Sequence, residues 1–237
     1  MLNLEEITHL TFDCYGTLID WESGILGAVQ PLLRSHGVEA SPEKILRLYV
    51  THEAELESQG WRPYREILQE VSAKIGADLG VKLSEAENSL LPGSIKGWLP
   101  FSDTLPALRR LEKRFRLVIL SNIDDDLFAE TRKSLDVDFD QIITAEHVRN
   151  YKPDQAHFRE ALRRLNVAPA RILHVAQSLY HDHVPAKRLG LSTAWVNRPS
   201  RLADIGLAPA ASVEPDIKVS DLAGLVTILD AQKKGGA

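Results

Sequence analysis

The sequence predicts an α/β fold in which a doubly wound parallel sheet is interrupted, after its first strand, by an all-helical insertion. Three observations carry this reading. Short apolar runs end in polar or small residues, helical patterns lie between them, and the stretch from Asp20 to Trp98 holds helices with no convincing strand. The strand runs are Leu10 to Phe12 ahead of Asp13, Leu117 to Leu120 ahead of Ser121, Ile142 and Ile143 ahead of Thr144, Ile172 to Val175 ahead of Ala176, and Ala194 to Val196 ahead of Asn197. Short, mainly apolar runs that do not alternate regularly mark strands covered on both faces, as in parallel sheets. Between them Thr104 to Lys113 repeats leucine at 105, 108 and 111, and Asp125 to Leu135 and Gln155 to Leu165 read as further helices. Strand and helix in alternation give the doubly wound class.

In the insertion the expected helices are Gly24 to His36, Pro42 to Glu57, Tyr64 to Ile75 and Leu83 to Leu91. Ser41 followed by Pro42 is an N-cap with proline in the first turn. Glycines and prolines at 60, 63, 76, 80, 92, 93, 97 and 100 punctuate the segment and its exit. Residues 1–19 and 99–237 are therefore expected to form the core, and 20–98 a cap. Pro199 to Pro215 reads as an Ala/Pro-rich loop, Ser220 to Leu229 as a closing helix, and Gln232 to Ala237 as a frayed end.

The chain has 237 residues, 44% of them hydrophobic, which suffices for a core and a second smaller unit and excludes disorder as a class. With 28 basic against 33 acidic residues the net charge is −5 and no basic run stands out, so neither nucleic acid nor an anionic membrane is an expected partner. The start, MLNLEEITHL, has neither a basic nor an apolar leader segment, and a cytoplasmic location is expected. The single cysteine, Cys14, excludes an intrachain disulfide. It neighbours Asp13 but faces the other side of the strand, and reads as a packed small hydrophobe.

In a doubly wound sheet, ligands bind beyond the carboxyl ends of the strands. That rim collects Asp13, Tyr15 and Thr17, then Ser121 and Asn122, then Gln177, Ser178 and Asp182, with Lys152 in Asn150-Tyr151-Lys152-Pro153-Asp154. Taken singly, Ser121 and Asn122 could cap the next helix, and Asp182 reads equally as an N-cap of the helix through Leu189 or as a reactive carboxylate. Asp124, Asp125 and Asp126 read as complements to a helix dipole, His181 and His183 as packing or surface residues, and the four tryptophans as core or hinge packing.

FDCYGTLID, LSN, YKPD and AQSLYHDHVPAKRLG, in this order and spacing from about residue 7 to 198, resemble the four motifs of the haloacid dehalogenase superfamily. The resemblance implies a Rossmann-like core with a cap inserted after the first motif. Most members are magnesium-dependent phosphotransferases with a DxD first motif and a GDxxxD fourth. Here Tyr15 stands in place of the second Asp, and Ala176-Gln177 in place of Gly-Asp. The chain thereby resembles the L-2-haloacid dehalogenases, which act without metal or organic cofactor, on small carboxylates, and are commonly dimers. By that resemblance Asp13 is the nucleophile and Thr17 orients it. Ser121 and Asn122 hold the substrate carboxylate, and Tyr15 walls the pocket. Lys152 balances charge, and Asp182 positions or activates the hydrolytic water with Gln177 or Ser178. The alternative is a magnesium-dependent phosphatase or phosphotransferase acting on a small phosphoester.

The resemblance also implies a cap arginine that receives the halide. Two carboxylates and a substrate carboxylate against Lys152 alone leave a site short of positive charge. Arg47 is the nearest candidate, with Arg62 and Arg65 as rivals. A further departure is Phe158, where the best-matched dehalogenases have a tyrosine.

Overall fold

The structure, a computed structural model, describes residues 3–202 and 213–231. Its sheet has six strands, all pairings parallel: β1 (His9–Phe12), β2 (Arg116–Ser121), β3 (Gln141–Thr144), β4 (Ile172–Ala176), β5 (Ser192–Val196) and β6 (Ile217–Val219), in the order β3-β2-β1-β4-β5-β6. The chain steps outward from β1 to β3 and then restarts beyond β1 with β4. The carboxyl ends of β1 and β4 therefore flank the switch point, where a doubly wound sheet opens a crevice.

Helices α1 (Trp21–Ser35), α2 (Pro42–Glu57), α3 (Tyr64–Asp78), α4 (Glu85–Asn88) and α5 (Leu90–Ser94) all lie between β1 and β2 and form the helical insertion. α6 (Thr104–Leu111), α7 (Asp125–Leu135), α8 (Ala145–Val148), α9 (Ala156–Leu165), α10 (Val184–Arg188) and α11 (Leu222–Ala231) flank the sheet. α2 begins as the Ser41-Pro42 pair predicts, with the Ser41 hydroxyl accepting from the Lys44 N–H. The expected helix from Leu83 breaks into two short pieces, α4 and α5. The edge strand β6 lies just beyond the loop expected to end at Pro215. Residues 203–212 of that loop, and the end from Gln232, lie outside the described residues.

The strands alternate between two buried layers. Leu10, Phe12, Leu117, Ile119, Leu173 and Val175 point into the layer shared with the insertion, whereas Val118, Leu120 and Ile172 point towards Phe158 and Ala161 of α9 and Ala186 of α10. Thr11, Asp13 and His174 fall on the α9 side by the two-residue period of a strand, and Cys14, fully buried, packs in the opposite layer.

The insertion leaves and rejoins the core at one place. Phe101 donates its N–H to the Leu18 carbonyl at 3.0 Å and Asp20 to that of Leu99 at 2.9 Å. A second tie was not expected from the acidic run at 124–126. α3 starts at Pro63 with no side-chain cap of its own, and Asp124 of the core accepts the N–H groups of Tyr64 and Arg65, each at 2.8 Å. Asp124 thus caps a helix of the insertion across the crevice, while Asp126 pairs with Arg65. Asp124→Ala is expected to lower the urea-unfolding free energy by about 1 to 2 kcal/mol, the usual worth of a cap, and Asp124→Asn, which keeps an acceptor, by less.

Candidate active site

Asp13 follows β1 directly and is 8% exposed. The next residues turn back sharply, since Gly16 has φ +96° and a Cβ there would lie 3.0 Å from the Trp21 indole nitrogen. This is a left-handed position in a closed space, which only glycine fills without strain. The turn returns the Thr17 hydroxyl to Asp13, where it donates to Oδ2 at 2.7 Å and accepts the Gln177 N–H at 2.9 Å. Arg198, buried behind the turn, donates to the Thr17 carbonyl and to Asp103.

Lys152, 2% exposed, reaches in from the loop between α8 and α9. Its ammonium has three hydrogens and three acceptors: Asp13 Oδ1 at 2.9 Å, the Leu120 carbonyl at 3.0 Å and Asp182 Oδ1 at 2.6 Å. Burial alone would lower the Lys152 pKa, but the two carboxylates outweigh it and hold the ammonium above its ordinary range. Asp182 is 1% exposed and sits in a π-helical turn, Leu179–His183. Burial opposes its charge, but Lys152 and His174 overcome that and keep Asp182 well below the carboxylate range. Asp13 goes the other way: burial, with help from Asp182, outweighs Lys152 and Thr17 and raises it. Of the two carboxylates, Asp182 keeps its charge and Asp13 takes up the first proton.

The remaining residues expected on the rim fall into two groups. Ser121 is fully buried with an Oγ that has no hydrogen-bond partner, a hydroxyl left available to a ligand. Asn122 clamps the backbone of Lys152, its Oδ1 accepting the N–H at 2.8 Å and its Nδ2 donating to the carbonyl at 3.1 Å. Neither caps α7, whose N-cap is Asp124, and Asp182 is no N-cap either, since His183 holds that place ahead of α10. The Tyr15 ring stands edge-on to Trp98, and its hydroxyl bonds to Thr131 of α7 at 2.7 Å. Gln177 adjoins Gly16, whereas the Ser178 hydroxyl caps the π-turn by accepting the His181 N–H at 3.1 Å.

The expected cap arginine requires correction. Arg47 is exposed, because the buried side of α2 carries Ile45, Leu46, Tyr49 and Leu56, and two residues from Tyr49 is more than half a turn away. Arg62 pairs with Glu70 at 2.8 Å and Arg65 with Asp126. The side of α2 that carries Tyr49 instead presents Glu53, whose Oε1 accepts from Tyr49 at 2.8 Å and from the Tyr64 hydroxyl. Burial raises the pKa of Glu53. It raises Glu57 further, with the Glu53 charge adding to the rise and Lys152 offsetting part of it.

The histidines of the fourth motif are packing residues as expected. His183 bonds to the Ala176 carbonyl at 3.0 Å and is pushed down to about 4 by burial; His157, bonded to the Ser121 carbonyl at 3.2 Å, is likewise lowered to about 3. Both take up a proton on unfolding below their ordinary value of 6.5. Their contribution to stability is therefore full above that pH and falls as the pH drops from it towards 4, by about 1.4 kcal/mol per pH unit for each residue. His183→Gln is expected to flatten the urea-unfolding free energy against pH by about 1 kcal/mol per unit between roughly pH 6.5 and 5, relative to wild type.

The donor set does not suit the magnesium ion that most relatives of this motif order use. Such an ion needs near-octahedral oxygen ligation. Here Asp13 and Asp182 converge on the Lys152 ammonium, Tyr15 turns its oxygen to Thr131, and the described residues contain no group of three or more potential ligand side chains.

The family model for haloacid dehalogenase-like hydrolases matches residues 7–188. The chain belongs to this family. Two similar haloacid dehalogenase-like enzymes are an (S)-2-haloacid dehalogenase of Pseudomonas sp. (strain YL), 24% identical over 96% of both chains, and (S)-2-haloacid dehalogenase H-109 of Pseudomonas putida, 27% identical over 92% of this chain and 98% of that one. Among solved structures, the L-2-haloacid dehalogenase PA0810 superposes with a TM-score of 0.81 at 25% identity, covering 95% of this chain and 99% of that one. The L-2-haloacid dehalogenase of Xanthobacter autotrophicus shares the fold with a TM-score of 0.81 at 22% identity, covering 98% and 100%. No described helix of this family member is long and apolar enough to cross a membrane.

His174 was missed from the sequence. It lies inside β4, fully buried, with Asp182 Oδ1 3.1 Å from Nε2 and Thr11 Oγ1 2.8 Å from Nδ1. A lone histidine in the apolar run Ile-Leu-His-Val-Ala, on the same strand face as Ala176, was the available signal.

Proposed function

We propose that this hydrolase removes halide from short 2-haloalkanoic acids through an aspartyl ester on Asp13, without a metal ion, with 20–98 acting as the cap over a core of 1–19 and 99–237. The observation that carries this reading is the Lys152 ammonium seated between Asp13 and Asp182. It orients a carboxylate nucleophile, while Tyr15, in place of a second carboxylate, turns its oxygen away to Thr131. The names and full-length coverage of the similar enzymes support the same substrate class.

In the first step an Asp13 oxygen attacks the halogen-bearing carbon from the side opposite the halogen, and the carbon–halogen bond breaks with its electron pair on the halide. A halide departs as a stable anion, so the step needs no proton donor. The absence of a carboxylic acid at Tyr15 is then no obstacle. Thr17 and Lys152 hold Asp13, Ser121 Oγ and the second Nδ2 hydrogen of Asn122 receive the substrate carboxylate, Tyr15 walls the pocket and Gln177 lines it beside Gly16. In the second step water adds to the ester carbonyl carbon of Asp13 and passes a proton to Asp182. The ester carbon–oxygen bond then breaks, and the 2-hydroxy acid leaves after taking a proton. Ser178 acts through the π-turn that carries Asp182.

The test is halide release from (S)-2-chloropropionate in excess EDTA, with equimolar (R)-lactate as the expected product of inversion. No halide from 2-halopropionates or haloacetates contradicts the reading, and magnesium-stimulated phosphate release from small phosphoesters would replace it with the phosphatase alternative.

A further inference from the structure

Thr11 is the register partner of His174 and sits two residues before Asp13 on the same strand face. Asp182 is ionised and a carboxylate only accepts, so Nε2 of His174 carries the hydrogen and donates it. Nδ1 is served by the Thr11 hydroxyl. The result is a closed circuit: Asp13 to Lys152, Lys152 to Asp182, Asp182 to His174, His174 to Thr11, and back to Asp13 along β1. Phe158 meets the imidazole edge-on with ring centres 4.9 Å apart, and the ring of His183 stands 6.5 Å away. The imidazole thus has two aromatic neighbours. A residue needed only to fill this space would bring no polar atoms into a layer of isoleucine, valine and phenylalanine, where unpaired ones are costly.

We propose that His174 is a positioning residue for hydrolysis of the ester. Its bond and that of Lys152 both fall on Asp182 Oδ1, which fixes the carboxylate plane and leaves Oδ2 free of either to receive a proton from water. This rests on the reading of Asp13 as the nucleophile, and it adds a residue that acts on the second step and not the first.

His174→Phe keeps an aromatic ring against Phe158 and removes both nitrogens, whereas His174→Gln restores a donor near Nε2. His174→Phe is expected to give a burst of one halide per site and then turnover slowed by about 10² to 10³-fold. The Asp13 peptide should carry the acyl adduct by mass spectrometry, KM should fall together with kcat so that kcat/KM, which reports the first step, stays within about threefold, and His174→Gln should recover part of the rate. Turnover of His174→Phe within about twofold of wild type, or a slow variant with no ester on Asp13, overturns the proposal. Wild type that releases no halide from any 2-halo acid defeats the underlying reading instead, and a measurement that needs no substrate then decides for His174. Its Nε2–H resonance in NMR spectra of histidine-labelled protein should be protected from exchange in wild type and lost in Asp182→Ala. Persistence of the resonance in that variant, or its absence from wild type, overturns the proposal.

Discussion

Asp13→Asn is expected to reduce halide release by a factor of about 10⁴ or more, because removal of a nucleophile leaves only binding and electrostatics to assist water. The fold should be almost unaffected. The amide has the shape of the acid, can still accept from Lys152 on its one oxygen while its NH2 donates to the Thr17 hydroxyl, and relieves a carboxylate whose pKa burial has already raised. The urea-unfolding free energy is expected to stay within about 1 kcal/mol of wild type. The same rise fixes an acid limb for the wild-type enzyme. kcat/KM should fall as pH drops through a value above 3.8, the ordinary value for an aspartate, because the neutral acid is no nucleophile. Turnover by Asp13→Asn within tenfold of wild type would show that the attack starts elsewhere.

Lys152→Met is expected to have the largest effect on stability. The substitution keeps the length of the side chain and deletes a charge that satisfies two buried carboxylates and a carbonyl. Breaking a buried pair from one side costs about 3 to 5 kcal/mol, a large share of the stability of a domain. The sign of its pH dependence is set by Asp13. Without the ammonium its pKa rises further, so the deficit is full above that raised value and shrinks as the pH falls through it and the acid becomes neutral. Urea unfolding of the variant at pH 8 and pH 5 measures this, and a deficit that grows towards acid would contradict it.

Much of this arrangement was legible in the sequence because buried parallel strands announce themselves as short, mainly apolar runs, and the polar residues at the end of each run stand on the rim of the crevice. Asp13, Thr17 and Asp182 were legible in this way and Lys152 through the YKPD motif ahead of a helix, and the structure brings them together. Other features had no such signal. β6 is three residues long, Ile-Lys-Val, at the sheet edge. The placing of Arg47 failed on helical phase: α2 begins where its cap predicts, yet nothing local says which stripe of an inserted helix meets the core. Its acidic occupant, Glu53, is recognisable only once Tyr49 and Tyr64 are seen to converge on it. Asp124 reads as a dipole complement because its partner, the bare start of α3, lies 60 residues away in sequence. His174 was hidden by its apolar neighbours, and only the register of β4 against β1 shows that it shares a face with the nucleophile.

A single turnover in ¹⁸O-labelled water, with enzyme in excess over (S)-2-chloropropionate, tests the central claim most directly. Water that attacks the ester carbonyl carbon leaves its oxygen on Asp13, so the peptide containing Asp13 should gain the label while the lactate carries unlabelled oxygen from the protein. Label in the lactate with none on Asp13 would mean that water attacks the carbon itself, and would contradict the covalent role of Asp13.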